Sequence, residues 1–173
     1  GIKDAEIFAS GRTDAGVHAL EQCFNAEINF NKISNLPQAL NSNLPQDIRI
    51  LWARPVESGF HARFSAHKKT YLYRVKLGGI ESPFDSFYTT YLNCNLNLKN
   101  MQEASKYLLG THNFKAFCST HTTTPDFDRT IYSLSIKQTD NLFEFEVCGN
   151  GFLYNMVRII VGTLIEVGKE KLK

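Results

Sequence analysis

The chain has 173 residues, 43% of them hydrophobic and 21% charged, with a formal net charge of +2. That length buries a sizeable core as one domain or two small lobes, and the balance excludes a disordered chain or one basic throughout. The longest apolar run, Ile159-Ile160-Val161, is too short to cross a bilayer, and no basic-then-apolar leader opens the sequence.

In chain order, Ile7-Phe8-Ala9 reads as a buried strand end leading into Ser10-Gly11-Arg12-Thr13-Asp14-Ala15-Gly16-Val17-His18-Ala19. Arg12 and Asp14 are two apart and point the same way on an extended or tightly turned backbone, so they can serve one cleft. Gly11 and Gly16 permit sharp geometry and close ligand approach. A plainer reading is a capped turn, with Thr13 or Asp14 as the cap and Gly16 as the bend.

Glu21 to Ile28 follows as a strand, then a short helix over Ser34 to Leu44 that turns Leu36, Ala39 and Leu40 inward. Asn43 to Asp47 is a turn, and Ile48, Ile50 and Trp52 recur at strand period. Between Arg54 and Lys76, six cations (Arg54, Arg63, Lys68, Lys69, Arg74 and Lys76) face Glu57 alone and are interleaved with Phe60, Phe64, Tyr71 and Tyr73. Cations for phosphates beside rings for bases make the composition of an RNA-binding face, although a solvated strand edge has the same look.

Thr70 to Leu77 alternates as a strand, with Tyr71, Tyr73 and Val75 on one face, and ends at Gly78-Gly79. A helix over Leu98 to Leu109 starts on Asn97 and stops at Gly110, presenting Leu98, Met101, Ala104, Ser105 and Leu108 on one side. Ser119 to Asp128 is a polar loop. Strands Ile131 to Gln138 and Leu142 to Val147 pair across Thr139-Asp140-Asn141, and an apolar helix over Phe152 to Val167 follows. The expected class is α+β on a mainly antiparallel sheet with flanking helices. Cys23, Cys94, Cys118 and Cys148 lack metal or redox spacing, and no histidine pair has ligand spacing. They read as free thiols of a reducing cytoplasm, with no metal site.

Three blocks carry a resemblance that extends from about Ile7 to Gly168. Gly11-Arg12-Thr13-Asp14-Ala15-Gly16-Val17-His18-Ala19 is similar to the G-R-T-D-A-G-V-H-A signature of the TruA family of tRNA pseudouridine synthases. Phe60-His61-Ala62-Arg63-Phe64-Ser65-Ala66 resembles the family's F-H-A-R-F-S-A element, and Met156-Val157-Arg158-Ile159-Ile160-Val161-Gly162 its M-V-R-x-I-V-G element. The resemblance implies a pseudouridine synthase fold of two RRM-like lobes around a central cleft, here 1–77 and 78–173. It implies Asp14 as nucleophile, Arg158 as its ion-pair partner, and Tyr71 as the ring stacked on the target base. Arg12 would flip the base, with Phe60, His61, Ala62, Arg63 and Phe64 contacting tRNA. The implied reaction is uridine to pseudouridine at positions 38, 39 and 40 of the anticodon stem-loop, by a cytoplasmic homodimer that needs no cofactor and no metal. A non-catalytic tRNA-binding module on the same fold, or a base-releasing glycosylase, are the rival classes. The family's opening Y-D-G-type segment and a strand after the last helix have no counterpart here, so a fragment is expected.

Overall fold

The structure, a computed structural model, describes residues 5–29, 33–120 and 124–172. They fall into two compact units, Gly1–Ala66 and His67–Lys173.

In the first unit, β1 (Ile7–Ala9) pairs antiparallel with β2 (Phe24–Ala26), Ile7 facing Ala26 and Ala9 facing Phe24. The strand at Ile7–Ala9 forms where the sequence places it, but it is not buried: Ile7 is 63% exposed and Phe8 36%. A two-stranded ribbon covers little of either face. A 3-10 turn at Ile33–Asn35 runs into α1 (Leu36–Asn41), which tolerates Pro37 because the first helical turn has no N–H to lose. Leu36 is buried as expected, whereas Ala39 is exposed. The strand anticipated at Ile48 to Trp52 is absent. The Asn41 amide bonds the Ile50 backbone on both sides, accepting from its N–H at 2.7 Å and donating to its carbonyl at 2.9 Å. One side chain thus takes the groups a ladder needs, and Ile48 and Trp52 stay exposed.

The second unit is a five-stranded sheet of order β4-β3-β7-β6-β5. Its members are β3 (Lys69–Leu77), β4 (Thr90–Leu92), β5 (Gly110–Asn113), β6 (Asp128–Thr139) and β7 (Leu142–Gly149). All pairings are antiparallel except β3 with β4. Strict alternation fixes β7: Phe143, Phe145 and Val147 point into the core and Glu144 and Glu146 away from it. Tyr71, Tyr73 and Val75 share that inner face, opposite Val147, Phe145 and Phe143. β6 and β7 join through Asp140-Asn141, where Asp140 takes φ 53°. β6 carries a bulge at Tyr132: Ile131 pairs with Gly149 and Ser133 with Cys148, so Ile131, Leu134 and Ile136 all reach the inner face.

Two helices cover that face. α2 (Leu98–Lys106) starts at Asn97, whose side chain accepts the Asn100 N–H at 3.1 Å. It ends three residues before the expected stop, and Gly110, at φ +92°, opens β5 rather than capping the helix. α3 (Met156–Gly168) begins four residues later than the apolar pattern indicates, because Asn155 takes a left-handed φ of 59°. Met101, Met156, Ile160, Val161 and Leu164 pack on Val75, Ile131, Ile136, Phe143, Phe145 and Val147. Among the described residues, no helix is long and apolar enough to cross a membrane.

Candidate active site

The signature loop leaves β1 and is pinned at its start. Ser10 N–H donates to the Cys23 carbonyl at 2.8 Å, and the Gln22 side chain donates to the Gly11 carbonyl at 2.7 Å. Further along, Val17 N–H bonds the Asp14 carbonyl at 3.1 Å, closing a turn whose third residue, Gly16, sits at φ +78°. A side chain there is strained, so this glycine is required by the turn. Arg12, Thr13 and Asp14 are exposed on the resulting loop. The bend at Gly16 is real, and it displays Asp14 instead of opening a helix.

The Phe60–Ala66 block folds beside the same ribbon. Ala62 is buried and donates its N–H to the Asn25 side chain of β2 at 2.8 Å. His61 sits between two rings, 4.9 Å from Phe8 and 4.3 Å from Phe64. The Arg63 N–H donates to His61 Nδ1 at 3.2 Å, so in the neutral ring Nε2 carries the proton. Phe64 is 77% exposed with the Arg63 guanidinium 5.8 Å from its centre. Ring and cation therefore face solvent together, and Phe64 is not a core residue. Phe60 is half-buried, and its N–H bonds the Glu57 carbonyl.

In the second unit Tyr71 is half-buried on β3, and its ring meets Phe152 edge to face at 5.2 Å and 89°. Tyr73 is a structural residue, bonded through its hydroxyl to Thr90 at 3.0 Å. Arg158 lies on the exposed side of α3. Its nearest neighbours in sequence are apolar, but Met156, Ile160 and Leu164 form a four-residue repeat on the core side, and residue 158 falls on the far side. Asp14 and Arg12 belong to the first unit, Tyr71 and Arg158 to the second.

The basic stretch is less basic than it reads. Arg74 pairs with Glu144 at 3.0 Å and Lys76 with Asp85 at 3.5 Å, so two of its six cations meet acids that lie outside the stretch. The Tyr91 hydroxyl, and after it Lys76, hold Asp85 below the usual carboxylate range. Arg54 lies 5.4 Å from the centre of the Trp52 ring. In the loop before β6, Arg129 is largely covered and donates to the Asp128 carbonyl at 2.6 Å. Thr124 of the threonine run bonds the Asp126 carbonyl, and Thr122 and Thr123 lie outside the described residues. Among the described residues no group of three His, Cys, Asp or Glu side chains is disposed to hold a metal.

Gly149 and Phe152 open the segment that leads to Arg158, and the sequence by itself gives neither a role. What signal there is lies in Gly149-Asn150-Gly151-Phe152, a pair of glycines directly before an aromatic residue at a strand end.

The model of the tRNA pseudouridine synthase family matches residues 2–65 and 104–173, with Tyr71 lying between the two matched segments. A protein of Bacillus pumilus named tRNA pseudouridine synthase A is 46% identical over 166 residues, covering 95% of this chain and 67% of its own length. One of the same name from Thermoanaerobacter sp. strain X514 is 43% identical over 172 residues, with 99% and 70% covered. A third, from Limosilactobacillus reuteri, is 45% identical over 169 residues, with 95% and 66% covered. The chain thus spans about two thirds of the length of these curated relatives. On these matches the chain belongs to the tRNA pseudouridine synthase family.

Proposed function

We propose that this chain isomerises uridine to pseudouridine in tRNA, at positions 38, 39 and 40 of the anticodon stem-loop, as a cytoplasmic homodimer. The observation that carries the reading is the signature loop itself. Its long ungapped match to the family is held by hydrogen bonds at its start and by a glycine turn at Gly16, with Asp14 displayed to solvent.

In the reaction, the bond from ribose C1′ to uracil N1 breaks, the base turns, and C1′ rejoins through C5. The proton on C5 leaves and N1 gains one, so atoms and electrons balance without a cofactor. Asp14 is the catalytic carboxylate, which can form the transient bond to ribose C1′ or to uracil C6, or promote a glycal route. By the family resemblance Arg158 is the ion-pair partner of Asp14, its guanidinium fixing the orientation of the carboxylate and balancing its charge. Tyr71 offers a ring face for the flipped uracil, and Arg12 takes the space the base vacates. Flipping costs a few kcal/mol, which stacking partly restores. Arg63 and His61 meet the phosphates, with Phe60 and Phe64 flanking them around Ala62.

The test is tritium release from tRNA labelled at uracil C5. Release by the wild-type chain that falls by on the order of a thousandfold or more in Asp14→Ala supports the assignment. tRNA binding without release points instead to a non-catalytic module, and free uracil in the mixture to a glycosylase.

A further inference from the structure

Gly149 leaves a gap in the inner face of the sheet. It is the last residue of β7, paired with Lys69 on one side and Ile131 on the other, and it follows Phe143, Phe145 and Val147 in the buried alternation. A Cβ at this position would stand 2.7 Å from the Thr130 carbonyl oxygen and 3.3 Å from Phe152 Cζ. The Thr130 oxygen is not free to retreat, because it accepts the Asn150 N–H at 3.0 Å while Thr130 N–H donates to Asn150 Oδ1 at 2.9 Å. The chain then turns back through Gly151, whose backbone has the Arg129 side chain alongside. This return lays the Phe152 ring over the gap, an aromatic covering a glycine within a sheet. The same ring meets Tyr71 edge to face.

We propose that Phe152, seated on Gly149, is a positioning residue that sets the ring plane of Tyr71 before the target base arrives. The inference rests on the reading of Tyr71 as the stacking platform. An edge-to-face pair is directional, and a tyrosine that also had to find its orientation would lose part of the stacking energy. The two hydrogen bonds between Thr130 and Asn150, one of them to the Asn150 side chain, lock the turn, so the orientation is built into the folded chain and does not wait for substrate.

The experiment uses the full chain with Phe152→Leu, which keeps apolar volume over Gly149 and removes the ring. The Tyr71 ring protons, followed by NMR, are expected to lose the ring-current shift that Phe152 imposes, with the rest of the spectrum unchanged. Single-turnover tritium release is expected to fall about tenfold at unchanged affinity for tRNA, the signature of lost orientation. In the Tyr71→Ala background the same substitution should cost nothing further, because Phe152 acts through that ring. Unshifted Tyr71 resonances, a wild-type rate, or a loss that multiplies with that of Tyr71→Ala each overturn the proposal. A wild-type chain that binds tRNA and releases no tritium overturns the functional reading instead, while the resonances still decide whether Phe152 holds Tyr71.

Discussion

The two units store their information differently. Gly1–Ala66 carries Arg12, Asp14 and the Phe60–Ala66 block, yet its described hydrophobic residues include only Leu36 and Ala62 as buried members. His67–Lys173 holds the whole main hydrophobic cluster, from Val75 to Ile165, with Tyr71 half-buried on β3 and Arg158 exposed on α3. In the first unit, shape comes from side chains that bond backbone: Gln22 to Gly11, Asn25 to Ala62, Asn41 to Ile50. In the second it comes from alternation and close packing. Chemistry can thus be carried on loops fixed by a few polar bonds, whereas an accurate sheet needs a continuous apolar face.

The largest effect that sharpens this contrast is a dissociation of activity from stability. Asp14→Ala should abolish tritium release and move Tm by only about 2 °C or less, since substitutions at exposed positions rarely exceed ~0.5 kcal/mol. Next, Phe145→Ala should cost about 3–5 kcal/mol by urea unfolding, whereas Leu36→Ala should fall at or below about 2 kcal/mol. Equal costs at the two sites would break the contrast. Removing the cap of α2 with Asn97→Ala should cost ~1 kcal/mol, readable as earlier hydrogen exchange in that helix.

The smallest effect is electrostatic. Asp85 titrates below an ordinary aspartate because of the Tyr91 hydroxyl and then Lys76. Its folded value being the lower, its contribution is fully present above the unfolded value near pH ~3.9 and is lost as pH falls through the folded one. Carboxyl-carbon NMR should show Tyr91→Phe moving the Asp85 midpoint upward, and an unmoved midpoint would remove Tyr91 as the cause.

What could be read from sequence follows the same division. β3, β7 and most of β6 were visible because one face of each is buried and the period survives. β4 and β5 were not, being short edge strands: β4 has only three residues, and β5, Gly110-Thr111-His112-Asn113, is exposed throughout. Ile48 to Trp52 had the period of a strand without the partner, and nothing in that stretch announces that Asn41 satisfies it. The late start of α3 depends on one left-handed residue, Asn155, inside an apolar run. Asp14 and Arg12 are assigned as members of a fixed string, a reading that does not depend on which elements flank it. Phe152 reads from sequence only as the start of an apolar helix, because the residue it covers, Gly149, has no side chain and leaves no pattern.

The bulge at Tyr132 carries a consequence for how such a chain tolerates change. Tyr132 pairs with nothing across the strand and is about half exposed, so its chemistry is nearly dispensable. Its place outside the ladder is not. A strand has a phase, and the bulge resets it, so that Ile131 and Leu134 both face inward with two residues between them. Pressing Tyr132 back into the ladder would set it opposite Gly149 and turn Ile131 outward, with Thr130 and Arg129 reversed behind it. Deleting Tyr132 would do no such harm, because Ser133 and Ile131 would then alternate plainly and Ile131 would still face Gly149. The residue that can be lost is the one that must not be straightened.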